Sequence, residues 1–271
     1  MSTTPDHEDR PAEFVEALAK GLAILECFDA DHAEMNLSEI LRRVDLTPAA
    51  VRRSLITLES LGYVGQTEKR FYLRPKVMSL GSALYFSARI DEVLQPELRH
   101  FVGKFGDASS VAALVGMEVL YIAHYSEQRA RRPSAVVGAR YPAQATSLGQ
   151  VILAGLPEAE FEDFLARMEP ISLTPRTIVD RDELRTVIAR VREQQYAVTV
   201  DQLDYGITAL SVPIRGRDGH TVAALNTSGY SGTVSAEFLV EERLLPLRQA
   251  AARITQTFQR YPVLERIIDH D

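Results

Sequence analysis

Apolar residues at Phe14, Leu18, Leu22, Leu25 and Phe28 recur at helical spacing, with Val15, Ala19 and Ile24 beside them. This pattern predicts an amphipathic helix ending near Phe28. Asp29 to Asn36 reads as a polar loop. Leu37, Ile40, Leu41 and Val44 predict a second, short helix, with Asn36 or Ser38 as its cap. Thr47-Pro48 opens a third: Thr47 is a good N-cap, and Pro48 fits a first turn where its missing N–H costs nothing. Val51, Leu55, Leu58 and Leu61 line one face of that helix, and Gly62 supplies its stop. Tyr63 to Gln66 and Arg70 to Leu73 read as strands around the turn Thr67-Glu68-Lys69, and Pro75 closes the unit. Helix, helix, turn, helix and hairpin are the parts of a winged helix-turn-helix, with Val44 to Thr47 as the turn.

Lys76 to Arg89 is helical in pattern and reads as a linker helix, with small residues such as Gly81, Ser82 and Ala83 suited to close packing. A helix follows from about Ile90 to Phe105, with Pro96 bending it or marking its first turn. Ser110 to Val115, Val119 to His124, Ser134 to Val137, Ala197 to Val200, Thr208 to Arg215 and Thr221 to Ser228 read as strands. Asp218-Gly219 between the last two is a hairpin signal. Leu148 to Leu156, Glu158 to Met168, Asp182 to Gln195 and Ser235 to Tyr261 read as helices, the last as one long helix. Strands in hairpins imply an antiparallel sheet with helices on its faces, an α+β domain. The expected organisation is a tail over residues 1–10, a winged helix over 11–75, a linker over 76–89 and an α+β domain over 90–271.

Composition narrows the class. The chain has 271 residues, enough for two domains, with ordinary apolar and charged fractions of 46% and 25%. Its one cysteine, Cys27, excludes an intrachain disulfide and a cysteine-built zinc site. No apolar run is long enough to span a membrane, and the start lacks a signal-peptide pattern, so a cytoplasmic protein is expected. The net charge of −7 hides a pattern. Met1 to Leu41 holds 10 acidic and 2 basic residues, whereas Arg42 to Lys76 holds 8 basic and 3 acidic. That basic block coincides with the winged-helix pattern, and phosphate binding needs only local charge.

The third helix is therefore the candidate for reading double-stranded DNA. With Val51, Leu55 and Leu58 buried, Arg52, Arg53 and Thr57 fall on or beside the opposite face. Ala49 and Ala50 are small enough for close approach to a groove, and Thr47 can reach a phosphate or a thymine methyl. Arginines pair bidentately with guanine. Lys69 and Arg70 sit at the wing tip, suited to backbone or minor-groove contact. The plain alternative is a solvated helix carrying two arginines. The cap, the short turn, the hairpin and the local charge together favour DNA.

The segment Phe14 to Leu25, the Leu37-Ser38-Glu39-Ile40 helix and the Thr47 to Tyr63 segment resemble the IclR family of bacterial transcription regulators. Tyr141 to Gly149, Asp201-Gln202-Leu203-Asp204-Tyr205-Gly206 and Ser211-Val212-Pro213-Ile214 resemble its effector-domain motifs. The likeness covers about residues 14–260, in the family's order. The N-terminal wording and Leu173 to Ile178 look most like the subgroup controlling β-ketoadipate-pathway genes, which responds to aromatic acids or their ring-cleavage products. The resemblance implies a GAF-like effector domain, a small carboxylate effector, and a homodimer or homotetramer joined through the DNA-binding half. It also places Ala209, Asn226 and Ser228 near the effector pocket.

Residue chemistry supplies a parallel reading. Thr146, Ser147, Leu148 and Gly149 stand where a loop becomes a helix, and unpaired backbone N–H groups there favour a carboxylate. Thr146 could equally be a plain helix cap. Asn226 and Ser228 alternate with Leu225 and Thr227 and so share one side of a strand, facing either solvent or a cavity. Tyr121 and His124 are weaker candidates. The chain contains no Gly-x-Ser-x-Gly, His-Glu-x-x-His or Gly-x-Gly-x-x-Gly, and its histidines lack partners at metal-ligand spacing. No catalytic residue, metal or cofactor is expected. A protein-interaction or catalytic module in place of a sensor is the second reading, and an apolar surface without an enclosed pocket would favour interaction.

Overall fold

A computed structural model of the chain describes residues 11–29, 31–87, 90–127, 135–260, 265, 266 and 268. The chain divides into two compact units between Leu84 and Tyr85, inside the expected linker.

The first unit begins with α1, Glu16–Glu26. Its core face is Ala23 and Ile24, whereas Val15, Leu18 and Leu22 stay exposed, so part of the apolar stripe finds no cover within the unit. The stretch expected as a polar loop contains a strand, β1 (Glu34–Asn36), and Met35 at its centre is 1% exposed. Three residues with one apolar side chain carry no detectable period, which is why the pattern missed it. Helix α2, Leu37–Leu41, is shorter than expected and starts on a capping box. Asn36 Oδ1 accepts from Glu39 N at 3.0 Å, and Glu39 Oε2 accepts from Asn36 N at 2.7 Å. Asn36 is therefore the cap. Helix α3, Pro48–Ser60, buries Ala50, Val51, Leu55 and Leu58, but Leu61, expected on that face, is 52% exposed.

Strands β2 (Val64–Thr67) and β3 (Arg70–Leu73) complete a three-stranded antiparallel sheet in the order β1-β3-β2. Glu68 and Lys69 close the β2–β3 hairpin with φ of 50° and 70°, the twist a two-residue hairpin needs, without glycine. Ile24, Met35, Ile40, Val51, Leu55 and Val64 form the core of this winged helix. A tight turn at Pro75–Val77 then leads into α4, Met78–Ser87.

The second unit opens with α5 (Ile90–Val93) and α6 (Gln95–Phe105), with Pro96 in the first turn of α6 rather than bending it. Its sheet comprises β4 (Ala108–Val115), β5 (Glu118–Ser126), β6 (Arg140–Pro142), β7 (Ala197–Val200), β8 (Ile207–Arg215) and β9 (Thr221–Tyr230). The order is β6-β5-β4-β9-β8-β7, and every pairing is antiparallel. A strand was expected over Ser134 to Val137. Ser134 lies outside the described residues, Ala135–Val137 are not in a strand, and the sheet is extended instead by β6.

Helices cover both faces of the sheet. Leu98 and Phe101 of α6, with Leu247, Ile254 and Phe258 of α11 (Leu244–Arg260), pack on Val111, Leu210 and Leu225. On the other face α7 (Ser147–Gly155), α8 (Glu158–Arg167) and α9 (Arg181–Gln194) place Leu148, Ile152, Phe161 and Ile188 against Ala112, Val119 and Ala224. The long C-terminal helix expected from Ser235 is interrupted. A short α10 (Ala236–Phe238) passes through a π turn, Leu239–Arg243, before α11 begins. The wider turn goes with burial of Arg243, which a regular solvated helix would not favour.

Candidate nucleic-acid interface and ligand cavity

In the first unit, α3 starts at Thr47, whose Oγ1 accepts from Ala50 N at 3.3 Å. Ala49, Arg52, Arg53, Ile56 and Thr57 are exposed on its outer side. Among the described residues Arg52 and Arg53 form no ion pair, so both guanidinium groups remain available to an outside partner. Ala50, expected on the groove side, is buried at 8% exposed. Thr57 Oγ1 donates to Arg53 O at 3.1 Å. At the hairpin tip, Lys69 is exposed and makes no ion pair among the described residues.

Arg70 differs. Its Nη2 donates to Glu34 O at 2.6 Å, and its guanidinium lies 3.6 Å from both the Glu34 and Glu39 carboxylates. It ties β3 to β1 and α2, which a lone hairpin pattern could not reveal. Two further cations of the basic block are also occupied within the fold. Arg43 pairs with Asp29 and Lys76 Nζ donates to Leu61 O.

In the second unit, a cavity of about 840 Å³ opens on the α7 side of the sheet. Ser110 of β4, Tyr121, His124 and Ser126 of β5, and Ser228 and Tyr230 of β9 line it, with Gln95, Asp107 and the Asp204-Tyr205-Gly206 loop. Ser110 Oγ and His124 Nδ1 are 2.9 Å apart. The Tyr121 ring stacks near His124 and meets Tyr141 edge-on at 5.1 Å. Among the described residues no lysine or arginine lines the cavity, and the side-chain donors among them are hydroxyls, an imidazole and an amide. The lining comes from six separate stretches of chain, Ala135 to Val137 among them, so no local sequence signal could have assembled it.

The effector candidates divide. Ser228 lines the cavity. Asn226 lies one strand repeat deeper, 3% exposed, and serves β4: its Oδ1 accepts from Ser110 N at 2.7 Å. Ala209 pairs with Ser228 across β8–β9 and is buried. Thr146, Ser147, Leu148 and Gly149 do not line the cavity. Thr146 Oγ1 accepts from Gly149 N at 2.9 Å, an ordinary N-cap, and Ser147 Oγ bonds Ser211 Oγ at 2.7 Å. Leu148 fills the core, and a Cβ on Gly149 would stand 2.1 Å from Ala143 O. The Thr146 and Ser147 hydroxyls are thus both engaged within the chain.

The 201–206 loop at the cavity is braced from behind. Thr174 Oγ1 donates to Asp201 O at 2.5 Å and Thr177 Oγ1 to Gln202 O at 2.6 Å. Buried Gln150 donates to Gln144 O and to Gln202 Oε1, at 3.0 and 2.8 Å. Ser231 Oγ donates to the Asp201 carboxylate at 2.7 Å, and with the Gly206 N–H it holds that carboxyl below the usual carboxylate range. Among the described residues no group of three His, Cys, Asp or Glu could hold a metal ion. No helix among them is long and apolar enough to cross a membrane.

Comparison with known proteins gives both units a family. Residues 17–68 match the IclR helix-turn-helix domain, and residues 83–256 match the C-terminal domain of bacterial transcriptional regulator IclR. The chain is 34% identical over 242 residues to the Pca regulon regulatory protein of Pseudomonas putida, covering 89% of this chain and 83% of that one. A solved structure of a transcriptional regulator from Rhodococcus sp. RHA1 is 39% identical, with a TM-score of 0.74 over 91% of this chain and 99% of that one. An IclR homolog from Microbacterium hydrocarbonoxydans, solved in complex with 4-hydroxybenzoate, shares the fold. It is 24% identical with a TM-score of 0.72, over 90% of this chain and 99% of that one. The winged helix, the helix-covered antiparallel sheet and these matches agree: the chain belongs to the IclR family of bacterial transcription regulators, and its likeness runs to the family's Pca branch.

Proposed function

We propose that this protein binds an operator in double-stranded DNA through α3 and the β2–β3 wing, under control of a small aromatic carboxylate held in the cavity of the second unit. Thr47, Ala49, Arg52, Arg53, Thr57 and Lys69 form the DNA face. Ser228, Ser110 and His124 form the donor set for the carboxylate, with Tyr121 and Tyr230 suited to an aromatic ring. The observation that carries the reading is the cavity in the second unit, in a chain whose winged helix exposes Arg52 and Arg53 with no ion pair among the described residues. The 4-hydroxybenzoate bound by the Microbacterium homolog and the regulon named for the Pseudomonas relative support the ligand class.

The cavity also favours sensing over a protein-interaction module, and the relatives are regulators rather than enzymes. A cytoplasmic protein acting on DNA as a homodimer or homotetramer completes the proposal. Exposed Leu18 and Leu22 on α1, and Met78, Leu80 and Leu84 on α4, are the apolar side chains a second copy would cover.

Calorimetry with 4-hydroxybenzoate, protocatechuate and β-ketoadipate tests the ligand class. At least one should bind the wild type and raise its melting temperature. Ser228→Leu should abolish that shift while DNA binding persists. Equal binding by both proteins would move the site elsewhere, and no binding by the wild type would remove the aromatic-acid reading.

A further inference from the structure

The cavity wall contains a carboxylate that an anionic ligand would have to approach. Asp107 lies between α6 and β4 at φ +63°, directly after Gly106 at φ +72°, so two successive residues there have positive φ. Asparagine and aspartate tolerate that region better than most other residues. The Asp107 side chain is 16% exposed, and Ser126 Oγ donates to its main-chain oxygen at 3.2 Å. Gly229 gives it room: a Cβ there would stand 2.8 Å from Asp107 Oδ2.

The countercharge comes from outside the cavity. Arg243 closes the π turn, and its side chain is 5% exposed. Its Nη2 donates to Asp107 Oδ2 at 2.9 Å and to Phe105 O at 3.1 Å, and its Nη1 donates to Thr227 Oγ1 at 3.1 Å. The guanidinium lies over the rings of Phe105 and Phe238, at 5.8 and 5.6 Å. Thr227 alternates with Ser228 along β9, so Arg243 approaches from the face opposite the cavity. Lysine, with one compact ammonium group, could not make this planar set of contacts. The other described carboxylate at the cavity, Asp204, is exposed at its mouth, where solvent screens it.

We propose that Arg243 is a positioning residue for the effector: it holds and neutralises Asp107 from behind the sheet, so that the cavity wall admits an anion. The inference rests on the reading of this cavity as an aromatic-carboxylate site. The described side-chain donors of the lining are neutral, so they offset little of a bare carboxylate. Losing Arg243 leaves that charge beside the ligand. Removing the Asp107 charge as well takes away the repulsion.

The test uses the full chain as wild type, Arg243→Gln, Asp107→Asn and the double variant. Calorimetry is run with 4-hydroxybenzoate and with 4-hydroxybenzyl alcohol, its uncharged counterpart. Arg243→Gln should weaken binding of the acid by about tenfold or more, and binding of the alcohol by less than about twofold. The double variant should regain most of the acid affinity. If the wild type binds the acid and Arg243→Gln binds it equally, the charge role is wrong while the ligand reading stands. Loss of acid binding that Asp107→Asn does not restore also overturns the role, since it marks a packing effect. Should the alcohol bind too weakly to measure, the double variant decides alone. A wild type that binds protocatechuate or β-ketoadipate in place of this acid carries the same comparison with that ligand, and one that binds none of the three overturns the ligand reading and this inference together.

Discussion

Asn226 Oδ1 accepts the backbone N–H of Ser110 at 2.7 Å, so a side chain of β9 holds the strand that carries a cavity hydroxyl. Ser109 Oγ answers by donating to Asn226 O at 2.6 Å. Both residues are fully buried, and the pair fixes where Ser110 meets His124. Asn226→Ala should therefore cost about 1–3 kcal/mol of unfolding free energy, because it leaves a buried N–H unpaired. Ligand affinity should fall with it. Denaturant unfolding monitored beside calorimetry checks both, and an unchanged midpoint would contradict the role assigned to the pair.

Arg52→Ala and Arg53→Ala should each cost about 1–3 kcal/mol at the specific operator if the guanidinium reads a base. Lys69→Ala should weaken binding to all sequences and lower the salt slope by about one. Arg70→Ala should behave differently. Its guanidinium is committed to Glu34 and Glu39, so its loss should lower the melting temperature more than it alters the salt slope. Gel-shift titrations at several salt concentrations, paired with thermal melts, separate the two groups.

Leu18 is 63% exposed and Leu80 52%, two apolar helix side chains left to solvent. Sedimentation of the wild type should give a dimer or a larger species. Leu18→Asp or Leu80→Asp should shift it toward monomer and reduce operator affinity, since two linked winged helices gain by effective concentration. A wild-type monomer at operator-binding concentrations would contradict this.

Cys27 is buried in the winged-helix core, and its Sγ lies 3.1 Å from Ile24 O. Burial pushes its thiol up to about 11. The folded state thus keeps its proton longer than the unfolded state, whose thiol titrates near the ordinary value of 9.0. Stability from this group is intact below that value and falls as pH rises between the two. Thiol labelling at neutral pH should be slow in the folded protein and fast in denaturant. Cys27→Ala should flatten the alkaline loss of stability, and rapid labelling of the native protein would refute the assignment.

The winged helix was legible because its signals are local. Thr47-Pro48 caps a helix, Val51, Leu55 and Leu58 repeat along it, and a polar turn sits between two strand-like runs. Each works within a few residues, so the sequence by itself determined that α3 forms and which arginines it exposes. It also set the antiparallel character of the second unit, through Asp218-Gly219 and the strand runs around it. Position relative to distant chain was another matter. Arg70 became a tie because β1 and α2 reach it from residues 34–39, and a three-residue strand leaves no period to read. Thr146 to Gly149 carried the pattern of an anion site, yet what such a helix start can hold depends on what packs against it, and here Ala143 lies against Gly149 and Ser211 bonds Ser147. Only the tertiary structure decided the cavity. Ser110, His124, Ser228 and Asp107 lie on three strands and a turn, and burial and hydrogen bonding between segments more than a hundred residues apart, such as Asp107 and Arg243, are long-range properties that local spacing does not encode.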